Sequence, residues 1–262
     1  MNIYNNPPIV IRGGGDLATG TIYRLHKAGF PVLVLETGRP LAVRRAVSVC
    51  EAVYEGRWTV EGMECRLIAS LDEFDPGVVG VLIDPDGRSL SEVRPRILID
   101  AIMAKRNTGT SREMAPVTIA LGPGFRAPKD VLYVIETMRG HSLGRVIAKG
   151  AAIPDTKTPG VIMGYGIERL LRAPAAGRLV SRKTIGDLVE AGEAVGEIAG
   201  VPVRANIPGV IRGLIHPSVE CCPGMKIGDV DPRGIVDYCF TISEKSLAIA
   251  GGVMEAVSYP NR

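Results

Sequence analysis

The sequence has no apolar stretch approaching the roughly 20 residues that a membrane-spanning helix requires, so no membrane association is expected. It has no long run of like charge either. Lys and Arg number 31 against 28 Asp and Glu, for a net charge of +3, and the two signs are interspersed. That argues against the basic arm or stripe of a nucleic-acid binder. No C-x-x-C pair occurs among the five cysteines, Cys50, Cys65, Cys221, Cys222 and Cys239. An odd and scattered set argues against a disulfide framework and against a zinc site, and no metal is expected. Residues 1–8 lack the basic start and apolar centre of a secretory leader, so a cytoplasmic location is expected.

What remains is a soluble globular composition, 46% hydrophobic and 23% charged, in a chain long enough for one large or two modest domains. The first legible feature is Ile9-Val10-Ile11, a β-branched run ended by Arg12 and three glycines, which suits a strand buried on both faces. From Asp16 onward Ala18, Ile22 and Leu25 recur at helical spacing, and Gly29 closes the helix. A second apolar strand, Val32-Leu33-Val34-Leu35, ends in Glu36.

Strand, glycine turn, helix, strand and acidic residue, in that order, give the glycines meaning. Gly13 permits a sharp turn out of the strand. Gly15 leaves room for a phosphate, and Ala18 takes the small position where helix and strand pack. The N–H groups of the helix start, aided by the helix dipole, would face a pyrophosphate. Glu36 would accept hydrogen bonds from a ribose 2′-hydroxyl and disfavour a 2′-phosphate, pointing to NAD rather than NADP. The expected ligand contacts are Gly13, Gly14, Gly15, Asp16, Leu17 and Glu36. Asp16 also has a purely structural reading, as a helix N-cap.

Further strands read at Val78-Val79-Gly80-Val81-Leu82-Ile83, Arg96-Ile97-Leu98-Ile99, Val117-Thr118-Ile119-Ala120-Leu121 and Tyr133-Val134-Ile135-Glu136. Ligands of open α/β sheets sit beyond the carboxyl ends of the strands. There the sequence places Asp84, Asp100, Lys105, Arg106 and the Gly122-Pro123-Gly124 loop, so Asp84, Asp100, Gly122 and Gly124 join the candidate ligand residues. Taken singly, each carboxylate reads first as a turn or helix cap, and it is their shared position that raises the ligand-binding reading. Residues 102–109 are either an anion-holding loop or a solvated one. His141, between Arg139 and Arg145, is the one histidine in a setting suited to a cleft.

The second half holds a weak internal repeat. Gly177, Gly192, Gly196, Glu197 and Ile198 correspond to Gly209, Gly224, Gly228, Asp229 and Val230 at one constant offset. Glycine turns between short β-rich pieces suggest a small barrel or sandwich. The string Ile185-Gly186-Asp187-Leu188-Val189-Glu190-Ala191-Gly192-Glu193 resembles the barrel-sandwich hammerhead of biotinyl and lipoyl carriers. The hairpin that would display their modified lysine, residues 199–204, contains no Lys, so a docking or oligomerisation role fits better. The expected fold is therefore α/β, with a Rossmann-like parallel sheet over residues 1–170 and a β-rich barrel-sandwich (hammerhead-like) domain over 171–240. Residues 241–262 would carry a C-terminal helix able to pack back on the first domain.

Four strings together resemble the YqeB-type family, accessory proteins of selenium-dependent molybdenum hydroxylases. They are Ile11-Arg12-Gly13-Gly14-Gly15-Asp16-Leu17-Ala18-Thr19-Gly20, Ile119-Ala120-Leu121-Gly122-Pro123-Gly124-Phe125, the Glu136-Thr137-Met138-Arg139-Gly140-His141 stretch leading to Leu143-Gly144-Arg145, and Gly228-Asp229-Val230-Asp231-Pro232-Arg233. The resemblance implies a first domain similar to that of xanthine dehydrogenase accessory proteins, a molybdenum hydroxylase as partner, and a nucleotide-bearing molybdenum cofactor as cargo. It carries over no catalytic residue. Three functions follow as expectations: an accessory protein binding a nucleotide or the molybdenum-cofactor nucleotide, an NAD-dependent oxidoreductase, and a non-catalytic NAD-sensing protein. The oxidoreductase would need a general acid or base, for which only His141, Lys105 or Tyr133 is on offer. In the accessory reading, Cys221 or Cys222 would be the groups able to handle sulfur or selenium.

Overall fold

The computed structural model describes residues 7–156 and 158–259. Residues 1–6, in which the absence of a leader was read, lie outside the described residues, as do 260–262 of the C-terminal segment. The described chain forms two compact units, one from residues 7–40, 48–156 and 242–259, the other from 41–47 and 158–241. No helix of the described residues is long and apolar enough to cross a membrane.

The first unit is built on a nine-stranded sheet. In chain order its elements are β1 (Ile9–Arg12), α1 (Asp16–Lys27), β2 (Val32–Glu36), α2 (Ala52–Glu55), β3 (Arg57–Val60), β4 (Met63–Ile68), β5 (Val79–Ile83), α3 (Leu90–Val93), β6 (Ile97–Asp100), β7 (Val117–Leu121), β8 (Arg126–Ala127), β9 (Tyr133–Ile135), β10 (Val146–Ile147), β11 (Gly150–Ala151) and, after the second unit, α5 (Glu244–Ser258). The sheet order is β10-β9-β7-β6-β1-β2-β5-β4-β3, and β8 pairs separately with β11. Val10, Ile11, Leu33, Val34, Leu98, Ile99 and Ile119 are fully buried, as expected of central strands covered on both faces. Helix α1 turns Ala18, Ile22 and Leu25 inward, and Gly29 beyond its end has φ +85°.

The helix α5 packs along α1 at very short range. A Cβ at Gly20 would lie 2.4 Å from Ser246 Oγ, so only glycine lets the two helices meet there. Ser246 Oγ in turn accepts from the Gly20 amide at 3.0 Å and lies 2.9 and 3.0 Å from the Asp16 and Leu17 carbonyls, to which its single proton is shared.

This architecture corrects the expected Rossmann-like parallel sheet. The sheet is mixed: the inner pairs are parallel, but β3 pairs antiparallel with β4 at one edge and β10 antiparallel with β9 at the other. Only the β1–β2 connection carries a full helix, whereas α2 and α3 are four residues each. The apolar runs mark the central strands, while the direction of the edge strands is set by hairpins that such runs do not report.

The second unit comprises β12 (Leu170–Arg172), β13 (Val180–Ser181), β14 (Leu188–Val189), β15 (Ala194–Ile198), β16 (Val201–Arg204), β17 (Gly209–Leu214), β18 (Lys226–Asp231) and α4 (Asp237–Phe240). Its strands divide between a four-stranded sheet, β12-β18-β17-β14, and a separate three-stranded sheet, β13-β15-β16. The expected barrel-sandwich, hammerhead-like domain is corrected accordingly. The repeat is visible as the strand pieces Gly196-Glu197-Ile198 on β15 and Gly228-Asp229-Val230 on β18, which the fold assigns to different sheets. The β15–β16 hairpin turns through Ala199 and Gly200, both at positive φ, and displays no lysine.

The Gly228-Asp229-Val230-Asp231-Pro232-Arg233 string anchors this unit. Asp229 receives both 3.0 Å bonds of a buried, two-pronged pair from Arg169. Asp231 is fully buried and takes Arg212 at 3.1 Å and Arg233 at 2.6 Å. Burial opposes the charge of Asp231, but the bonds from Arg233 outweigh it and hold its carboxyl below the ordinary range. The carboxylate oxygens are thereby occupied, as a buried ion pair requires, while Arg212 Nε is buried without a partner among the described residues.

Candidate functional site

The glycine bend between β1 and α1 is tight because the chain behind it is close. Gly13 has φ +92°, and a Cβ there would lie 2.9 Å from the Ala101 carbonyl oxygen and the Ile102 Cα. Its amide donates to the Leu35 carbonyl at 2.8 Å. The Gly14 amide donates to Glu36 Oε2 at 2.7 Å, while Glu36 Oε1 receives the Thr37 amide at 2.7 Å. Burial raises the Glu36 carboxyl from its ordinary value, against the pull of those two amides. Glu36 thus braces the bend, and the first two amides assigned to a diphosphate are engaged within the protein.

The opening lies one step further on. Gly15 is the N-cap of α1 and offers no side chain to its amides, and a Cβ there would meet nothing within 4 Å. Among the described residues no acceptor engages the amides of Gly15, Leu17 or Ala18. These groups carry the positive end of a twelve-residue helix, where an anion is stabilised.

Asp84 and Asp100 have work elsewhere. Asp84 accepts from the amides of Arg88 and Ser89 at 2.9 and 2.8 Å and from Ser89 Oγ at 2.7 Å, capping the turn into α3. Burial opposes its charge, but these bonds prevail and its carboxyl lies below the ordinary value. Asp100 is buried and accepts from Thr110 Oγ1 at 2.6 Å and the Ile102 amide at 3.2 Å. Thr110 Oγ1 accepts Arg12 Nη1 at 2.6 Å, and Arg12 Nη2 reaches the Pro85 carbonyl at 2.9 Å. One arginine, one threonine and one aspartate therefore tie together three loops at the strand ends. Residues 102–109 serve the same network: Asn107 Oδ1 accepts the Gly109 and Thr110 amides at 2.8 and 2.9 Å, an Asx turn that presents Thr110.

Gly122 and Gly124 permit close loop packing. A Cβ at Gly122 would lie 2.6 Å from Thr137 Oγ1, and one at Gly124 2.7 Å from the Arg106 backbone. The buried carboxylate of Glu136 accepts the Met138 amide at 2.7 Å and the Ile153 amide at 2.8 Å, fixing the loop after β9. Lys105 pairs with Asp155 at 2.8 Å. His141 is exposed, 3.3 Å from Arg145 Nη2, and Tyr133 stacks edge-on against Tyr259. Of the candidate thiols, Cys221 is buried, with its thiol raised by that burial, and Cys222 is exposed.

The structure also brings forward a residue that local sequence pattern did not single out. Lys245 lies in the first turn of α5 and is half-buried. Its ammonium is depressed by burial and then by the charge of Arg139, against the attraction of Asp16, Glu136 and Glu244. Among the described residues it has no hydrogen-bond acceptor or ion-pair partner, whereas its neighbour Glu244 pairs with Arg139. Because the next residue, Ser246, ties α5 to the first turn of α1, helix packing holds Lys245 near that turn, where the charge of Asp16 acts on its ammonium. The only local signal was the start of a helix at Ser243, whose Oγ receives the Ser246 amide at 3.3 Å.

The fold and site together define a two-unit protein in which a braced glycine bend opens onto a helix N-terminus on the larger unit. No family model matches the sequence. The chain is 46% identical over 253 residues to the uncharacterized protein YqeB of Escherichia coli (strain K12), a match covering 95% of this chain and 47% of that protein. It spans about half the length of this curated relative, and the likeness supports a YqeB-type relationship. Among solved structures, an aspartoacylase family protein from Mesorhizobium loti is 10% identical, with 86% of this chain and 85% of that one covered and a TM-score of 0.28. A succinylglutamatedesuccinylase/aspartoacylase from Rhodobacter sphaeroides is 14% identical, with 86% and 85% covered and a TM-score of 0.27. Scores this low assign neither fold nor chemistry to the chain.

Proposed function

We propose that this chain is an accessory protein that holds a nucleotide, or the nucleotide end of a molybdenum cofactor, for delivery to a molybdenum hydroxylase, the ligand's phosphate resting on the first turn of α1. The observation that carries the reading is the set of amides at Gly15, Leu17 and Ala18 without a protein acceptor, beside a half-buried lysine that also lacks one. A helix N-terminus and a nearby cation are complementary to an anionic group such as a phosphate. The selenium-dependent hydroxylase as partner comes from the family resemblance. The two NAD readings relied on Glu36 as the ribose acceptor, and its two oxygens already serve Gly14 and Thr37.

Calorimetric titration with cytidine mono- and diphosphate, NAD and NADH tests this directly. A cytidine nucleotide is expected to bind, and at about 100 times its dissociation constant to raise stability by about 2.7 kcal/mol. Lys245→Met is expected to weaken that binding by about tenfold, with less salt dependence than the parent protein shows. Absence of binding by any of these nucleotides at millimolar concentration sinks the nucleotide seat. Failure of a molybdenum hydroxylase to co-purify with the tagged chain from cells producing both would remove the partner.

A further inference from the structure

We infer that the second unit carries a docking face for polypeptide equivalent to the other half of YqeB. The face is built from β14 and α4. Leu188 is 60% exposed and Phe240 48%, and Ile235, Val236 and Tyr238 are exposed with them. They are contiguous: a Cβ at Gly186 would touch the Phe240 ring at 3.2 Å and Val236 at 3.7 Å, and one at Gly234 would reach Leu188 at 4.0 Å. Both glycines have positive φ, so the turns that hold this surface together leave its apolar side chains uncovered.

The composition is that of a binding centre. Arg233 lies 4.6 Å over the Tyr238 ring while its guanidinium is held by Asp231. Aromatics and arginine are the residue types enriched among interface hot spots, and near-neutral neighbours around them serve to exclude water. The occupant follows from length. YqeB matches 95% of this chain with only 47% of its own length, so the homologous fold exists on one polypeptide with as much sequence again. Covalent linkage gives that second half a high effective concentration at any face suited to it. The inference stands independently of the nucleotide seat.

The test places the photoreactive residue p-benzoylphenylalanine in intact Escherichia coli YqeB at the position aligned with Phe240. A control carries it at the position aligned with Val161, which is 68% exposed elsewhere in the second unit. Irradiation is expected to give intramolecular cross-links into the part of YqeB outside the matched region, at about ten times the control yield. Cross-links confined to the matched region, cross-links between two copies, or a yield equal to the control would each overturn the inference. The 262-residue chain is expected to show the same mass by light scattering with and without Leu188→Asp. A dimer abolished by that change would give the face to a second copy instead.

Discussion

Arg12→Met is expected to lower the stability of the first unit by about 3–5 kcal/mol, the scale for removing one member of a buried charged network. Arg12, Thr110 and Asp100 are 3%, 1% and 2% exposed. Removing the guanidinium strips two charge-assisted bonds, to Thr110 and the Pro85 carbonyl, and leaves Asp100 without a compensating cation. Thr110→Val keeps both charges and removes only their bridge, so about 1–3 kcal/mol is expected. Trp58 is the only tryptophan and lies on β3 of this unit, so urea unfolding followed by its fluorescence reports the right transition. The deficit also has a pH signature. Burial already raises the Asp100 carboxyl from its ordinary 3.8, opposed by Thr110, Ile102 and Arg12. Without Arg12 it rises further, and a carboxyl raised in the folded state costs stability as pH climbs through that folded value. The variant should therefore fall furthest behind the parent at neutral pH and recover part of the gap in acid. A deficit under about 1 kcal/mol at pH 7 would mean that the network does not hold the strand ends.

The central strands were legible because they are buried on both faces. Ile9-Val10-Ile11 and Val32-Leu33-Val34-Leu35 admit no polar residue, and that continuity survives without knowledge of any neighbour. The hairpin of β3 and β4 was not legible by the same signal. Its residues alternate between exposed and buried, and its turn is Glu61-Gly62, both at positive φ. Reading β1–α1–β2 as the start of a parallel sheet extended a local pattern to edges where antiparallel pairing prevails. The two-residue strands β8, β10 and β11 are too short to have a period at all.

The site was legible as a place and not as a set of contacts. Glu36 illustrates the difficulty: a carboxylate at the end of β2 lies within reach of a ribose and equally within reach of the Gly14 amide, and sequence spacing is the same for both. Asp84 and Asp100 gather at the strand ends, where they are satisfied by Ser89 and Thr110, side chains whose approach depends on loop conformation. Lys245 had no chance of notice, because it reaches α1 only through a helix that returns after 85 intervening residues of the second unit, 157–241.

The adjacent glycines of α5 separate two physical effects that sequence alone merges. In a helix each glycine costs about 1 kcal/mol relative to alanine, so by propensity both Gly251→Ala and Gly252→Ala should stabilise. At Gly251 a new methyl would meet only the end of the Arg24 side chain, at 3.8 Å, and a gain of about 0.5–1 kcal/mol is expected. At Gly252 it would lie 2.0 Å from the Gly144 carbonyl oxygen and 3.0 Å from Ile135 Cγ2. A backbone carbonyl cannot swing aside as a side chain can, and Gly144 is itself confined, since a Cβ there would lie 2.5 Å from the Ala248 carbonyl oxygen. The helix must then lift from the loop after β9, and a loss of about 3 kcal/mol is expected, the upper part of the range for overpacking. Opposite signs from two neighbouring, chemically identical changes would locate the close approach at one residue, and equal gains would show that the approach is absent. The same pair bears on function. Lifting α5 displaces Lys245 at its first turn, so nucleotide affinity should fall in Gly252→Ala and hold in Gly251→Ala, which a lysine acting only as a solvated surface charge would not produce.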